Sequence, residues 1–113
     1  MPREELTGYG YSTMYMIVMF DLPVKTKEDR KEYRTFRKQL LSEGFTMLQY
    51  SVYSRFCATE FVFKQYSEIV KRALPPAGAV RIVGITTRQF EKMENFVGAE
   101  YVPPEPDDPY VFL

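Results

Sequence analysis

The stretch MYMIVMFDLP, residues 14–23, decides how the chain is read. Seven consecutive apolar or aromatic residues, Met14 to Phe20, run without polar alternation, as in a strand buried on both faces at the centre of a sheet. Leu22 and Pro23 end the run, because proline has no N–H to give to a ladder. Asp21 sits at the junction. Its plainest role is to cap the turn into the next element. A carboxylate at the end of a central strand is also placed to hold Mg²⁺, which takes oxygen ligands and keeps most of its waters. One Asp per chain makes a poor cage, but two copies across a two-fold axis could share an ion and activate a water for phosphodiester attack.

Working outward, VKTKEDRKEYRTFRKQLLSEGF, residues 24–45, predicts a helix from Thr26, its N-cap, to Gly44, its stop. Glu28 and Asp29 fall in the first turn, and Tyr33, Phe36 and Leu40 form the buried stripe. FTMLQYSVYSRF, residues 45–56, is aromatic and β-rich, either one long strand or two short ones meeting in a tight reversal. TEFVFKQYSEIVKRALPP predicts a second helix, opened by Thr59 and closed before Pro75, with Phe63, Tyr66 and Val70 inward and Ile69 and Leu74 beside them. AVRIVGITT, residues 79–87, returns as a strand interrupted by Gly84, and TRQFEKMENF as a short helix capped by Thr87. The expected organisation is a leader over residues 1–13, one domain over 14–95, and a proline-rich acidic tail over 96–113 that ends in an edge strand, Tyr110, Val111, Phe112 and Leu113. The order β-α-β-β-α-β implies an α+β ferredoxin-like sandwich, an antiparallel sheet with two helices on one face. A terminal strand after such a tail pairs with its own sheet or with that of a second subunit, which would make a dimer.

Composition bounds the chemistry. The 113 residues suit one domain with one core. No histidine is present, which removes the usual general base and the commonest metal ligand. The single thiol, Cys57, has no internal partner and suits a reducing cytoplasm as a small buried residue. The apolar run before Asp21 is too short to span a bilayer, and the leader lacks the basic character of a signal peptide. All 15 Lys and Arg lie at or before Lys92, whereas the last five acids, Glu94 to Asp108, follow it unaccompanied. A basic body with an acidic tail suits a polyanion plus a separate protein contact, or simply a solubilising tail.

The first helix concentrates that charge. At 100° per residue, Lys27, Lys31, Arg34 and Lys38 fall within about 60° of one another, opposite Phe36, and Arg30 and Arg37 flank them. Six cations on one helix face match a row of phosphates. Such a face reads backbone rather than base identity. The alternative is a solvated helix with local pairs to Glu28, Asp29 and Glu32. Tyr50, Tyr53 and Phe56 could stack on unpaired bases, although an aromatic strand of this kind more commonly serves core and interface. Ser51 has no base to activate it, and the sequence holds no phosphate loop or zinc spacing.

Three pieces, MIVMFDLP at the strand end, RKEYRTFRKQLLSEGF behind it and LQYSVYSR after the helix, together resemble the CRISPR-associated protein two family, the small ferredoxin-like partners of the CRISPR integrase. The resemblance covers about residues 14–95, and LLSEGF, QYSVY and the long tail are most similar to members from systems with a single large effector nuclease. It implies a homodimer whose C-terminal strand adds to the partner's sheet. It implies that Asp21 matches the family's Mg²⁺-ligating aspartate, paired with its symmetry mate. The family's serine and aromatic near the site fall on Ser51 and Tyr53, with Tyr in place of Phe. Two activities are implied: a metal-dependent endonuclease on RNA or DNA, and a non-catalytic adaptor that bridges integrase dimers and holds the duplex of a new spacer during antiviral defence. An interaction module with no nucleic acid remains the third reading on fold alone.

Overall fold

The computed structural model describes residues 13–102, so the leader before Thr13 and the expected edge strand Tyr110–Leu113 lie outside the described residues. Met14–Asp21 is β1, Lys27–Ser42 α1, Thr46–Gln49 β2, Val52–Cys57 β3, Glu60–Arg72 α2, Ala79–Thr86 β4 and Thr87–Glu91 α3; Asn95–Val97 (β5) and Glu100–Val102 (β6) follow. The main sheet has the order β2-β3-β1-β4 with all neighbours antiparallel, and β5 and β6 form a separate two-stranded sheet. This is the ferredoxin-like α+β arrangement expected from the element order.

Strand β1 is central, as its unbroken apolar run predicts, and its two faces differ. Met16, Val18 and Phe20 face the helices and join Phe36 and Leu40 of α1, Tyr53 and Cys57 of β3 and Val70 of α2 in the core. On the other face Tyr15 lies opposite Phe56 and Ile85, and Ile17 opposite Ser54 and Val83. Phe90 of α3 stacks on Tyr15 with ring centroids 3.7 Å apart. Much of the rest of that face is uncovered, with Phe56 and Val83 both exposed.

The two long helices begin and end where the sequence expects. Thr26 and Asp29 form a reciprocal capping box, the Thr26 hydroxyl accepting from the Asp29 N–H at 2.9 Å and the Asp29 carboxylate from the Thr26 N–H at 3.2 Å. Gly44 stops α1 at φ +90°. No basic residue occupies the last turn of α1, and Arg55, reaching in from β3, supplies the missing cation there. Its Nε donates to the Glu43 carbonyl at 2.9 Å, its Nη2 donates to the Tyr66 hydroxyl at 2.7 Å, and its guanidinium lies 3.6 Å from the centre of the Tyr66 ring.

Three expectations need correction. Gly84 does not interrupt β4, which pairs with β1 continuously from Ala79 to Thr86. A Cβ at Gly84 would come 2.5 Å from the Met14 methyl and 2.9 Å from the Phe63 ring, so glycine is there to let α2 approach the sheet. The cap of α3 is Thr86, not Thr87, because its hydroxyl accepts from the Gln89 N–H at 3.0 Å. Within residues 96–113, expected as tail up to Tyr110, Phe96 and Val97 instead pair in a β5–β6 hairpin, Phe96 opposite Tyr101. Residues 45–56 resolve as two strands, β2 and β3, with the reversal at Tyr50 and Ser51.

Candidate functional site

Asp21 closes β1 with its side chain exposed. Alternation along the strand puts it on the same side as Ile17 and Met19, the face turned away from the helices. It does not cap the turn: that role belongs to Thr26 and Asp29, and among the described residues Asp21 makes no side-chain hydrogen bond. Its backbone is tightly held. Gly78, at φ +98°, packs so closely that a Cβ there would lie 2.8 Å from the Asp21 carbonyl oxygen and 2.7 Å from a Leu22 methyl.

The donor chemistry of Asp21 fits a hard cation in a limited sense. Mg²⁺ is held by one or two carboxylates when waters and phosphate oxygens complete its shell. Among the described residues no group of three or more His, Cys, Asp or Glu side chains is placed to hold a metal ion. Among the described residues Asp21 therefore belongs to no metal cage. The nearby cavity between Leu22, Pro23, Glu28, Glu32 and Pro75–Pro76 measures about 60 Å³, room for water and far below the volume of a small-molecule site.

The six candidate cations all lie on α1. Lys27, Lys31, Arg34 and Lys38 are exposed and Arg37 is half-buried. Arg30 donates from Nη1 to the carbonyls of Val24 at 3.0 Å and Lys25 at 3.1 Å, so it also braces the loop that leads into the helix. The six cations span about 120° of the helix, while Glu28 and Glu32 lie beyond Lys31 on the flank away from Arg37. The fold does not gather Asp21 and these cations into one pocket. Asp21 belongs to the open sheet face, the cations to the outer face of the helix layer.

Ser51 and Tyr53 take different parts. Tyr53 is buried and stacks on Phe20 with centroids 5.7 Å apart, so it supports the end of β1 from inside. Ser51 adopts φ +66°, a left-handed conformation that costs a non-glycine residue on the order of 1–3 kcal/mol. Its carbonyl accepts from the Phe20 N–H at 3.0 Å, which pins the hairpin to β1 one residue before Asp21. Tyr33 of α1 was absent from the candidates, yet it joins this corner. It makes an edge contact with Phe20 and stacks on Tyr50. Burial raises the Tyr33 phenol above its ordinary value, the Ser51 side chain lowers it in part, and Tyr50 adds to the rise. Its spacing from Arg37 was the available signal, since residues four apart share a helix face. Cys57 is fully buried, as expected, and burial pushes its thiol up. No helix among the described residues is long and apolar enough to cross a membrane.

Comparison with known proteins agrees with the family resemblance of the sequence. The family model described as CRISPR associated protein Cas2 matches residues 14–93. A protein of Flavobacterium psychrophilum named CRISPR-associated endoribonuclease Cas2 is 39% identical over 99 residues, covering 88% of this chain and 84% of its own length. Proteins of the same name from Paracidovorax avenae and Parvibaculum lavamentivorans are 45% and 44% identical, over 83% and 80% of this chain and 87% and 89% of theirs. With that match spanning the sheet, both long helices and the strand-end aspartate, the chain belongs to the Cas2 family of CRISPR-associated proteins.

Proposed function

We propose that the chain acts in CRISPR adaptation as a cytoplasmic homodimer that holds duplex DNA along α1 and bridges dimers of the integrase while a new spacer is acquired. The observation that carries this reading is the segregation of charge on α1, six cations on one face, with Glu28 and Glu32 on one flank and the Asp29 carboxylate taken up by the helix cap. A face of that kind releases counterions from a phosphate row and needs no base contacts. The open face of the sheet, with Phe56 and Val83 exposed, supports self-association, because a monomer gains by covering such a surface. In this reading Tyr110, Val111, Phe112 and Leu113 add as a strand to the sheet of the second subunit, and the acidic stretch before them docks on the integrase.

A second reading is a Mg²⁺-dependent endoribonuclease, the activity in the names of the relatives. It is favoured by the exposure of Asp21 and by its having no part in the helix cap. A dimer axis near the end of β1 would bring the two Asp21 carboxylates together as shared ligands. Bound Mg²⁺ would supply phosphate charge neutralisation and an activated water. Asp21 would hold the ion, Gly78 and Ser51 would fix the backbone that carries Asp21, and Tyr53 would keep that strand end rigid.

Two measurements separate the readings. Reversing charge at Lys31, Arg34 and Lys38 should weaken duplex binding and reduce the salt slope by about 2.7, at 0.9 per lost phosphate contact. Unchanged affinity would move the DNA surface elsewhere. Cleavage of labelled single-stranded RNA and duplex DNA by wild type and Asp21→Ala, in Mg²⁺ or EDTA, tests the enzyme. Mg²⁺-dependent cutting lost in the variant establishes a nuclease; no difference, with duplex binding preserved, leaves the adaptor.

A further inference from the structure

The aromatic residues of the β2–β3 hairpin do not share one fate. Tyr53 is in the core and Phe56 lies on the open sheet face against Tyr15, at 5.5 Å. Tyr50 does neither. It sits at the hairpin tip with 72% of its surface exposed, the most exposed large side chain of its kind among the described residues.

An exposed ring at a hairpin tip would ordinarily be loose, and this one is held. Its ring stacks on Tyr33 at 5.9 Å and 22°. Tyr33 is itself fixed by its edge contact with Phe20 at 5.9 Å. The next residue, Ser51, is locked at φ +66° with its carbonyl bonded to β1. One face of the Tyr50 ring is therefore backed and the other is presented to solvent.

The place of this ring pair in the charge pattern gives it meaning. Tyr33 lies about 40° around α1 from Arg37, at the edge of the basic face and on the flank away from Glu28 and Glu32. Among the described residues Arg37 makes no ion pair or side-chain hydrogen bond. A fixed aromatic face beside a track of cations is the arrangement by which proteins hold unpaired strands, the cations following the phosphates and the ring taking a base. A closed duplex has no free base face to offer it.

We propose that Tyr50, backed by Tyr33, is a stacking platform for one unpaired nucleobase of a strand whose phosphates lie on the α1 cations, beginning at Arg37. The proposal rests on the nucleic-acid reading of α1 given above and adds to it a residue that distinguishes unpaired from paired substrate. Ser51 and Tyr33 position the ring, and Tyr50 makes the contact.

The test uses the full chain with two probes: a short single strand carrying 2-aminopurine, and the same sequence in a duplex whose two ends are closed by polyether linkers that carry no bases. Wild type should bind the single strand and quench the 2-aminopurine. Tyr50→Ala should bind it about 5- to 150-fold more weakly and lose the quenching, with affinity for the closed duplex unchanged. Tyr50→Phe, which keeps the ring, should behave as wild type and so show that the hairpin tolerates substitution. Single-strand binding by Tyr50→Ala equal to that of wild type overturns the platform, as does an equal loss on both probes. Wild type that binds neither probe overturns the reading of α1 itself, an outcome distinct from the other two.

Discussion

Gly78→Ala should be among the most damaging single-methyl additions in this protein, and the reason lies in the backbone of Asp21. The substitution meets two separate obstacles. At φ +98° an L side chain is in a left-handed conformation, which costs about 1–2 kcal/mol. The added Cβ would also stand 2.8 Å from the Asp21 carbonyl oxygen and 3.0 Å from the Leu22 Cα. Those are main-chain atoms of a central strand and its continuation, which cannot swing aside as a flexible side chain can, and overpacking of this kind adds about 1–3 kcal/mol. Stiffening the unfolded chain returns at most about 1 kcal/mol. Together these terms give a net loss of about 1–5 kcal/mol, centred on about 3. Two other glycines serve as internal controls. Gly84→Ala meets the Met14 methyl and the Phe63 ring but has no positive φ, so overpacking alone sets its cost, about 1–3 kcal/mol. Gly98→Ala has φ +65° but nothing within 4 Å and lies in a hairpin outside the main sheet, so only the left-handed strain of about 1–2 kcal/mol, less up to about 1 from stiffening the unfolded chain, sets its cost. Urea unfolding followed by far-UV circular dichroism, at one fixed protein concentration, gives all three values. The order Gly78 > Gly84 > Gly98 is the prediction. Gly78→Ala within about 1 kcal/mol of wild type would refute the claim that this loop clamps the end of β1.

Three further outcomes follow from the same contacts. Thr26→Ala removes one half of the α1 capping box and should cost about 1 kcal/mol in the same unfolding assay, whereas Asp21→Ala, outside the cap, should cost little. Stability should fall at alkaline pH: Cys57 and Tyr33 both hold their protons more tightly when folded, so the unfolded chain releases them first. The loss should begin near the unfolded values of 9.0 for the thiol and 10.0 for the phenol, grow as pH rises through the higher folded values, and be absent below. Cys57→Ala, compared with wild type from pH 8 to 11 (about one unit either side of the unfolded values), should show a shallower decline. On the dimer proposed above, removing residues 109–113 should weaken self-association; a truncated chain that stays fully dimeric in sedimentation velocity would end the strand-exchange idea.

How much was legible depended on whether a segment carried its own signal. β1 announced itself because its seven apolar residues run without polar alternation, and both faces bury residues, Met16, Val18 and Phe20 on one and Ile17 on the other. α1 did so because its cap, stripe and stop are all local. The reversal at Tyr50–Ser51 stayed open because its left-handed residue is a serine, not the glycine or asparagine that usually marks such a turn. The β5–β6 hairpin was hidden by strands of three residues each, although Val97-Gly98-Ala99, with glycine at φ +65° between paired Phe96 and Tyr101, held the clue. For the site, the cations of α1 were readable from angles alone. That Asp21 faces away from them was not, because strand parity has meaning only once the helices are assigned to one side of the sheet. Tyr33 was counted as core stripe, and its second role depends on the Tyr50 ring, which only tertiary structure brings beside it.

The position of Arg55 has a mechanical consequence. One guanidinium joins the carbonyl end of α1, a β-strand and the ring and hydroxyl of Tyr66 on α2. A load applied to α1 would thus pass through Arg55 into α2 and across β3, and would not peel α1 from its C-terminal end. The two helices would share a load at that end, where a single side chain ties them through the sheet.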